Sequence, residues 1–400
     1  MARSNKGTVL SINGGSSSIK FAIYVADTAF TPLLSGAVEN IGTLNTNLNF
    51  IDAVGGKQHT MRIKTSDHQE VVHVLMDWLE KQDHFGSLKV IGHRVVHGMS
   101  HTKPEKITIQ LLGKLKEISA YDPEHLPEEI KLIELFHKRY PSVMQVACFD
   151  TAFHAVMPLV AKLLPIPRRF GKVGIRRYGF HGLSYAYLME ELEKLAGKKA
   201  AKGRVIVAHL GSGASLAAVK NGNSMDTSMG FTPSSGIPMS TRTGDLDPGV
   251  AAYLIQHEQL SPHQFNHLVN HESGLLGISE TSASMEELLQ SRHTDHRVAE
   301  AIDFFCYQTR KYIGAYAAVL GGLDTLVFSG GIGEHAPEVR KMICTGLQFL
   351  GIELDKKKNT KNEAIISKDT SKVVVRVIPT NEELMIARLI CRVIKPGIKR

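Results

Sequence analysis

"VLSINGGSSSIKFAIYV" (Val9–Val25) reads as two apolar strands joined by a turn of glycines and serines, and a near copy of it stands half a chain away. The second stretch, "VIVAHLGSGASLAAVKNG" (Val205–Gly222), repeats the order of apolar strand, polar residue, Gly-Ser turn and apolar strand. An offset of 196 sets Val9 on Val205, Asn13 on His209, Gly15 on Gly211 and Ser16 on Ser212. In a chain of 400 residues that is the spacing a domain duplication leaves. Glycine-serine turns are common, so chance similarity between two hairpins is the plain alternative. Each turn is either a simple hairpin or a cradle for something anionic.

The remainder of the chain alternates helix-like and strand-like runs, which predicts an α/β protein. Helical periodicity marks Gln69–Gln82, Pro127–Tyr140, Arg297–Leu320 and Asn381–Ile394, while Lys89–Gly98, Met144–Asp150, Arg204–Gly211, Thr325–Gly331 and Lys372–Thr380 read as strands. A chain of this length exceeds what one hydrophobic core supports, so two domains are expected. No low-complexity linker separates them.

With 43% apolar and 22% charged residues the composition is that of a globular protein, which excludes a disordered chain. The net charge of +8 gathers in Pro167–Arg177, around Lys356–Lys361 and in the last residues. A solvated surface or the attraction of anionic ligands accounts for it. Nucleic acid ranks last, because no basic helix with interleaved aromatics accompanies the charge. Cys148, Cys306, Cys344 and Cys391 are far apart without C-x-x-C spacing, which suits a reducing compartment. No stretch has the ~18 apolar residues of a membrane span, and the N-terminus has no apolar signal core. A soluble cytoplasmic protein is expected.

A third glycine-rich element, "TLVFSGGIGEHAPEVRKMI" (Thr325–Ile343), reads as a strand, then Gly330, Gly331 and Gly333, then a helix opening at Pro337. Glycines let the backbone approach a ligand closely, and a helix N-terminus favours phosphate. The run is not G-x-G-x-x-G, and G-x-x-x-x-G-K-[ST] does not occur, so neither a dinucleotide fold nor a P-loop is indicated. Two hairpin loops and one glycine-rich turn suggest a nucleotide held between two related domains.

Nine segments in order carry a resemblance to a known family: "NGGSSSIKF" (Asn13–Phe21), "GHRVVHG" (Gly92–Gly98), "FDTAFH" (Phe149–His154), "RRYGFHGLSY" (Arg176–Tyr185), "AHLGSGASL" (Ala208–Leu216), "DTSMGFTP" (Asp226–Pro233), "STRTGDLDPG" (Ser240–Gly249), "SGGIGEH" (Ser329–His335) and "PTNEELMIAR" (Pro379–Arg388). They span nearly the whole chain, which resembles the acetate kinases, relatives of the sugar kinases, heat-shock chaperones and actin. The resemblance implies two duplicated actin-like, ribonuclease H-like domains with a nucleotide cleft between them. The division is 1–150, completed by the C-terminal helix at about 383–400, and 151–382. It also implies reversible phosphoryl transfer between ATP and acetate, giving ADP and acetyl phosphate, with Mg²⁺ or alternatively Mn²⁺, in a homodimer. A kinase for propionate or another short acid, or one using a different phosphoryl donor, is the near alternative. An actin- or chaperone-like ATPase is the distant one.

Transfer between two anions requires fixed cations, and Arg94 and Arg242 are the candidates. The strand period in "VIGHRVVHG" places Arg94 on one face with Val96, and His93, Val95 and His97 on the other. A surface salt bridge for Arg94, and a turn stabilised by Asp245 for Arg242, are the bland readings. The pair His93 and His97 lies on a strand without an accompanying glutamate, which argues against a zinc site. By resemblance, His181 hydrogen-bonds the phosphoryl group in flight, without a phosphohistidine, and Asp150, Glu382 and Asn13 organise the metal. As bland readings, Asp150 is a cap or turn residue and Glu382 a helix N-terminal acid. Also by resemblance, Val96, His125, Phe180 and Pro233 join Arg94 around the acid. Asn13, Ser16, Ser18, Lys20, His209, Gly211, Ser212, Gly213, Gly330, Gly331, Ile332, Gly333 and His335 face the nucleotide and its phosphates.

The chain departs from the family pattern in three places. Glu124 stands where a leucine usually lines the acid pocket, and a buried carboxylate there is costly unless protonated or turned away. Ser284, Met285 and Glu286, within Ile278–Leu289, replace an Asp-[Phe/Met]-Arg run near the nucleotide. Ser212 and His335 replace asparagines. All three bear on specificity for the acid or the phosphoryl donor.

Overall fold

The computed structural model describes residues 7–15, 17–52 and 56–394. Ser16 therefore lies outside the described residues, as does the end of the C-terminal helix expected at 395–400. The chain divides into two compact units, Met1–Ala152 with Asn381–Arg400, and Phe153–Thr380.

The first unit is built on an eight-stranded sheet of β1 (Thr8–Gly14), β2 (Ile19–Val25), β3 (Pro32–Glu39), β4 (Asn47–Asp52), β5 (Gln58–Arg62), β6 (Leu88–Val95), β7 (Glu105–Lys106) and β8 (Met144–Phe149). The strand order is β5-β4-β3-β2-β1-β6-β8-β7. β1 to β5 form an antiparallel meander, whereas β1, β6 and β8 run parallel. Six of the seven residues of β1 are buried, as a central strand covered on both faces requires. Helix His68–Glu80 covers one face with Val71, Val72, Leu75, Met76 and Leu79. The C-terminal helix Glu382–Ile394 lies on β1 and β6 through Met385, Ile386, Ala387 and Ile390.

The second unit repeats the scheme in β9 (Arg204–Leu210), β10 (Ala214–Lys220), β11 (Asn223–Thr227), β12 (Thr325–Ser329) and β13 (Val374–Val377), ordered β11-β10-β9-β12-β13. Its first three strands are antiparallel and β9, β12 and β13 are parallel. The offset of 196 carries β1 onto the whole of β9. The echo is thus a structural duplication, and the fold is α/β of the duplicated actin-like kind. Helix His296–Leu320 packs on β9 and β10 and ends at Gly321, whose φ of 72° is the left-handed cap conformation. Among the described residues no helix is long and apolar enough to cross a membrane.

Two expectations need correction. β6 ends at Val95, so Val96 and His97 lie past the strand and its alternation does not assign their faces. The glycines of "SGGIGEH" themselves form a short helix, Gly330–His335, ahead of the helix Pro337–Cys344 that was expected to open there.

Gly92 on β6 provides the close approach of the C-terminal helix, because a Cβ there would lie 2.5 Å from Ile386 Cγ2 and 2.7 Å from Ile390 Cγ2. Gly92→Val is expected to destabilise the first unit by about 1–3 kcal/mol through overpacking, read as a lower urea midpoint. An unchanged midpoint would show that this contact is not tight.

Candidate active site

Parallel strands bring side chains to a common edge at their carboxyl ends, the usual ligand edge of an open α/β sheet. In the first unit these ends deliver Asn13 from β1, Arg94 from β6 and Asp150 just after β8. The backbone N–H of Asp150 donates to Val95 O at 2.9 Å, which fixes the acid beside Arg94. Arg94 Nη2 donates to Asp150 Oδ2 at 2.9 Å and Nη1 to Glu129 Oε1 at 3.3 Å. The other oxygen of Glu129 accepts the Val96 N–H at 2.8 Å. Arg94 Nε finds no partner among the described residues.

The Arg94 side chain is 14% exposed, and those of Glu129 and Asp150 are 2% and 0% exposed. Burial works against the charge of Arg94, but Asp150, Glu129 and Glu382 outweigh it and hold its pKa above the usual value. Burial pushes the Glu129 carboxyl up to about 8, with Arg94 and the Val96 N–H pulling the other way.

Asn13 Nδ2 donates to Glu382 Oε2 at 2.8 Å and to Glu383 Oε1 at 3.2 Å, both in the first turn of the C-terminal helix. Burial raises the pKa of Glu383, and Glu382 adds to the effect while Lys20 opposes it. Lys20 faces Asn13 across the β1–β2 hairpin, and the turn closes with Gly15 N–H on Ser18 O at 2.8 Å. His125 is the N-cap residue of helix Leu126–Arg139 and its Nδ1 lies 3.0 Å from Asp122 Oδ1. Glu124 beside it is half-buried. His93 is a core residue: it is buried, bonds Gln145 Oε1 at 2.7 Å, and burial lowers its pKa to about 4.

In the second unit β9, β12 and β13 likewise end together. His209 Nδ1 lies 2.8 Å from Ser184 Oγ, itself 2.8 Å from Thr380 Oγ1. His181 has a left-handed φ of 58° immediately before helix Gly182–Ala201. Its Nδ1 meets Ser215 Oγ at 2.8 Å, and Ser215 meets the Tyr185 hydroxyl at 2.5 Å. The rings of His181 and His209 are 4.4 Å apart. Gly213 fits closely against this group, since a Cβ on it would stand 3.2 Å from His181 Nε2 and 3.8 Å from Arg242 Nη1.

Arg242 Nη1 donates to Pro233 O at 3.1 Å. Asp245 does brace the Arg242 turn, accepting the Gly236 N–H at 2.9 Å and the Tyr312 hydroxyl, and Ser212 O accepts the Ser240 N–H at 3.1 Å. The structure therefore places His181, His209, Gly213, Pro233 and Arg242 in one neighbourhood. Phe180 is buried with its carbonyl 3.0 Å from His154 Nε2, while Ser212 is exposed. Ser284 caps helix Met285–Ser291, whose first turn presents Glu286 to solvent.

Past β12, Gly330 has a φ of 76°, and a Cβ there would come within 2.6 Å of Leu210 O. Glu334 Oε1 folds back onto the Gly330 N–H at 2.8 Å and the Thr380 N–H at 3.1 Å. Arg340 lies fully buried behind this loop, with bonds of 2.9 Å to Gly333 O, Glu334 O and Asn359 Oδ1 and 2.8 Å to Asn359 O. Burial lowers its pKa to about 10. Gly331 is exposed, Ile332 half-buried and Gly333 buried, and the His335 side chain is 77% exposed.

Glu129, Glu383, Glu334 and Arg340 escaped the reading of the sequence. For two of them a signal was available. Glu129 shares the buried stripe of Leu126, Ile130, Ile133 and Phe136, and Arg340 that of Val339, Ile343 and Cys344. A charged residue on an apolar helix stripe must have a buried partner.

The chain is similar to kinases of short carboxylic acids. An acetate kinase of Rhodopseudomonas palustris (strain TIE-1) is 41% identical over 396 residues, covering 97% of this chain and 99% of the relative. A propionate kinase of Citrobacter rodentium (strain ICC168) is 41% identical over 392 residues, covering 96% of each. The crystal structure of a propionate kinase from Francisella tularensis superposes with a TM-score of 0.89 at 38% identity, covering 96% of this chain and 98% of that one. The fold and these likenesses define a phosphotransferase with a carboxyl group as acceptor. The profile of the acetokinase family matches residues 8–388. The chain belongs to the acetokinase family.

Replacing Arg340 by methionine removes the donors to the Gly333 and Glu334 carbonyls and to Asn359 Oδ1, at about 1–3 kcal/mol for each buried group left unpaired. Arg340→Met is therefore expected to lower the urea midpoint sharply, with Arg340→Lys recovering only part of the loss. A midpoint equal to that of the parent would show that Arg340 does not hold the glycine loop.

Proposed function

We propose that this protein transfers the terminal phosphoryl group of ATP to acetate, reversibly and by direct in-line displacement, giving ADP and acetyl phosphate. The observation that carries the reading is a buried guanidinium, Arg94, held by Asp150 and Glu129 at the carboxyl ends of parallel strands. A small acid needs a fixed cation and an apolar neighbour, which Arg94 and the buried Val96 supply, with His125 at the start of the helix that carries Glu129. Attack by one anion on another is slow unless charge is neutralised in the transition state. Arg242 and His181 take that part on the phosphoryl group. The Pro233 carbonyl orients Arg242, Ser215 holds the His181 ring, and Phe180 and Pro233 complete the acid's surroundings.

Asn13, Ser16, Ser18 and Lys20 serve the phosphates, as do His209, Gly211, Ser212 and Gly213. Gly330, Gly331, Ile332, Gly333 and His335 serve the nucleotide. The oxygens of Asp150, Glu382 and Asn13 suit a hard ion such as Mg²⁺, which keeps several waters and takes few protein ligands. When bound, the ion neutralises charge on the phosphates. We further propose a cytoplasmic homodimer with the domain division 1–150 plus 383–400 and 151–382.

Propionate is the second reading of the acceptor, favoured by the propionate kinases among the relatives. The test is incubation with ATP, Mg²⁺ and acids of increasing chain length, trapping acyl phosphate with hydroxylamine. Acetate-dependent hydroxamate is expected, and ATP hydrolysis independent of any acid would favour an actin- or chaperone-like ATPase instead. Arg94→Ala and Arg242→Ala should each lower turnover by about a hundredfold or more while the fold persists, judged by circular dichroism. Near-parental turnover in either variant would contradict its role.

A further inference from the structure

Glu129 occupies the donors that the acceptor acid needs. One of its oxygens takes Arg94 Nη1 at 3.3 Å and the other takes the Val96 N–H at 2.8 Å. A guanidinium edge and a backbone N–H beside an apolar side chain are what a short carboxylate would seek, and here a carboxylate of the chain itself sits on them. It is buried, at 2% exposure. The charged groups acting on it are Arg94 from β6, Asp150 after β8 and Asp122 from the turn before its own helix. Beyond them, Asp122 bonds His125, and Glu382 acts on Arg94.

The charges decide the consequence. Arg94 contributes one positive charge, Asp150 one negative, and Glu129 a second negative when ionised. These three sum to one negative charge with Glu129 ionised and to zero with it protonated; Asp122 and Glu382 act in both states, so protonation removes one of the charges that repel an organic acid.

We propose that Glu129 is an internal competitor of the acceptor acid, and that the acid binds at Arg94 when the Glu129 carboxyl carries a proton taken from solvent. This rests on the acceptor site proposed above. Burial, by holding the Glu129 carboxyl up to about 8, brings the switch close to neutral pH. The sign follows directly: below that value Glu129 is neutral and the acid binds, and above it the ionised carboxylate keeps the donors. Affinity for the acid then falls as pH rises, toward tenfold per unit. Glu129 bonds Arg94 and the Val96 N–H, the donors assigned to the acid, so the effect is expected on the acid and not on ATP. Glu129 is a specificity residue that acts through Arg94.

The experiment measures KM for acetate at saturating ATP, and KM for ATP at saturating acetate, from about pH 6.5 to about pH 9.5, in the parent protein and in Glu129→Gln. In the parent, KM for acetate is expected to climb above about pH 8 by up to tenfold per unit, with no matching climb for ATP. In Glu129→Gln, KM for acetate should stay within about twofold across the range and fall below the parent value at the alkaline end. A Glu129→Gln profile that keeps the parental slope overturns the proposal, as does a parallel rise in KM for ATP or a higher acetate KM for the variant at every pH. If Glu129→Gln does not fold, the parent profile decides, because an acetate KM flat with pH contradicts the proposal unaided. Failure of the kinase reading looks different: no acid of any chain length would yield hydroxamate.

Discussion

A largely buried guanidinium facing two buried carboxylates is the interaction on which the arrangement of the first unit's strand ends depends. Arg94 could not lie 14% exposed without Asp150 and Glu129, because an unpaired buried charge costs several kcal/mol. The pairing sets the location as well as the charge. Asp150 reaches Arg94 because β6 and β8 run parallel with Val95 opposite Phe149, and both residues stand where those strands end. Glu129 reaches it from helix Leu126–Arg139. The cation is thus fixed from three elements before any substrate arrives, which is the preorganisation that charge-neutralising catalysis requires.

The second unit repeats the layout with different residues. Where β1 carries Asn13 on Glu382 and Glu383, β9 carries His209 on Ser184. The first unit's edge is dominated by carboxylates and Arg94. The second gathers histidines, small residues and glycines with Arg242, a lining suited to a polyanion. The same sheet scheme thus carries a carboxylate-rich edge in one unit and a histidine- and glycine-rich edge in the other.

The sheets were legible because their signals are local. The Val9–Val25 and Val205–Gly222 hairpins announce themselves by apolar runs around glycine-serine turns, and the offset between them is a property of the sequence alone. The principal helices fall near the bounds that their periodicity predicts. What escaped was set by tertiary contact. Val96 looked like a strand residue, yet β6 stops at Val95, where Asp150 takes over the Val95 carbonyl. The short helix at Gly330–His335 hid behind its glycines, which local propensity counts against a helix. It is held by Glu334 from within and by Arg340 from the following helix. Asp245, read as a possible brace for the Arg242 turn, is one, and the partner completing it, Tyr312, is distant in sequence.

Direct observation of acid binding in the absence of nucleotide is the sharpest test of the claim that Arg94 receives the acceptor. Saturation-transfer NMR on acetate mixed with the protein, compared with Arg94→Gln and Arg94→Lys, reads that contact without any turnover. Transfer to the acetate methyl protons is expected for the parent below about pH 8, where Glu129 is protonated, and should vanish for Arg94→Gln and weaken for Arg94→Lys. Equal transfer for all three folded proteins would contradict the account, because the acid would then be held without the guanidinium.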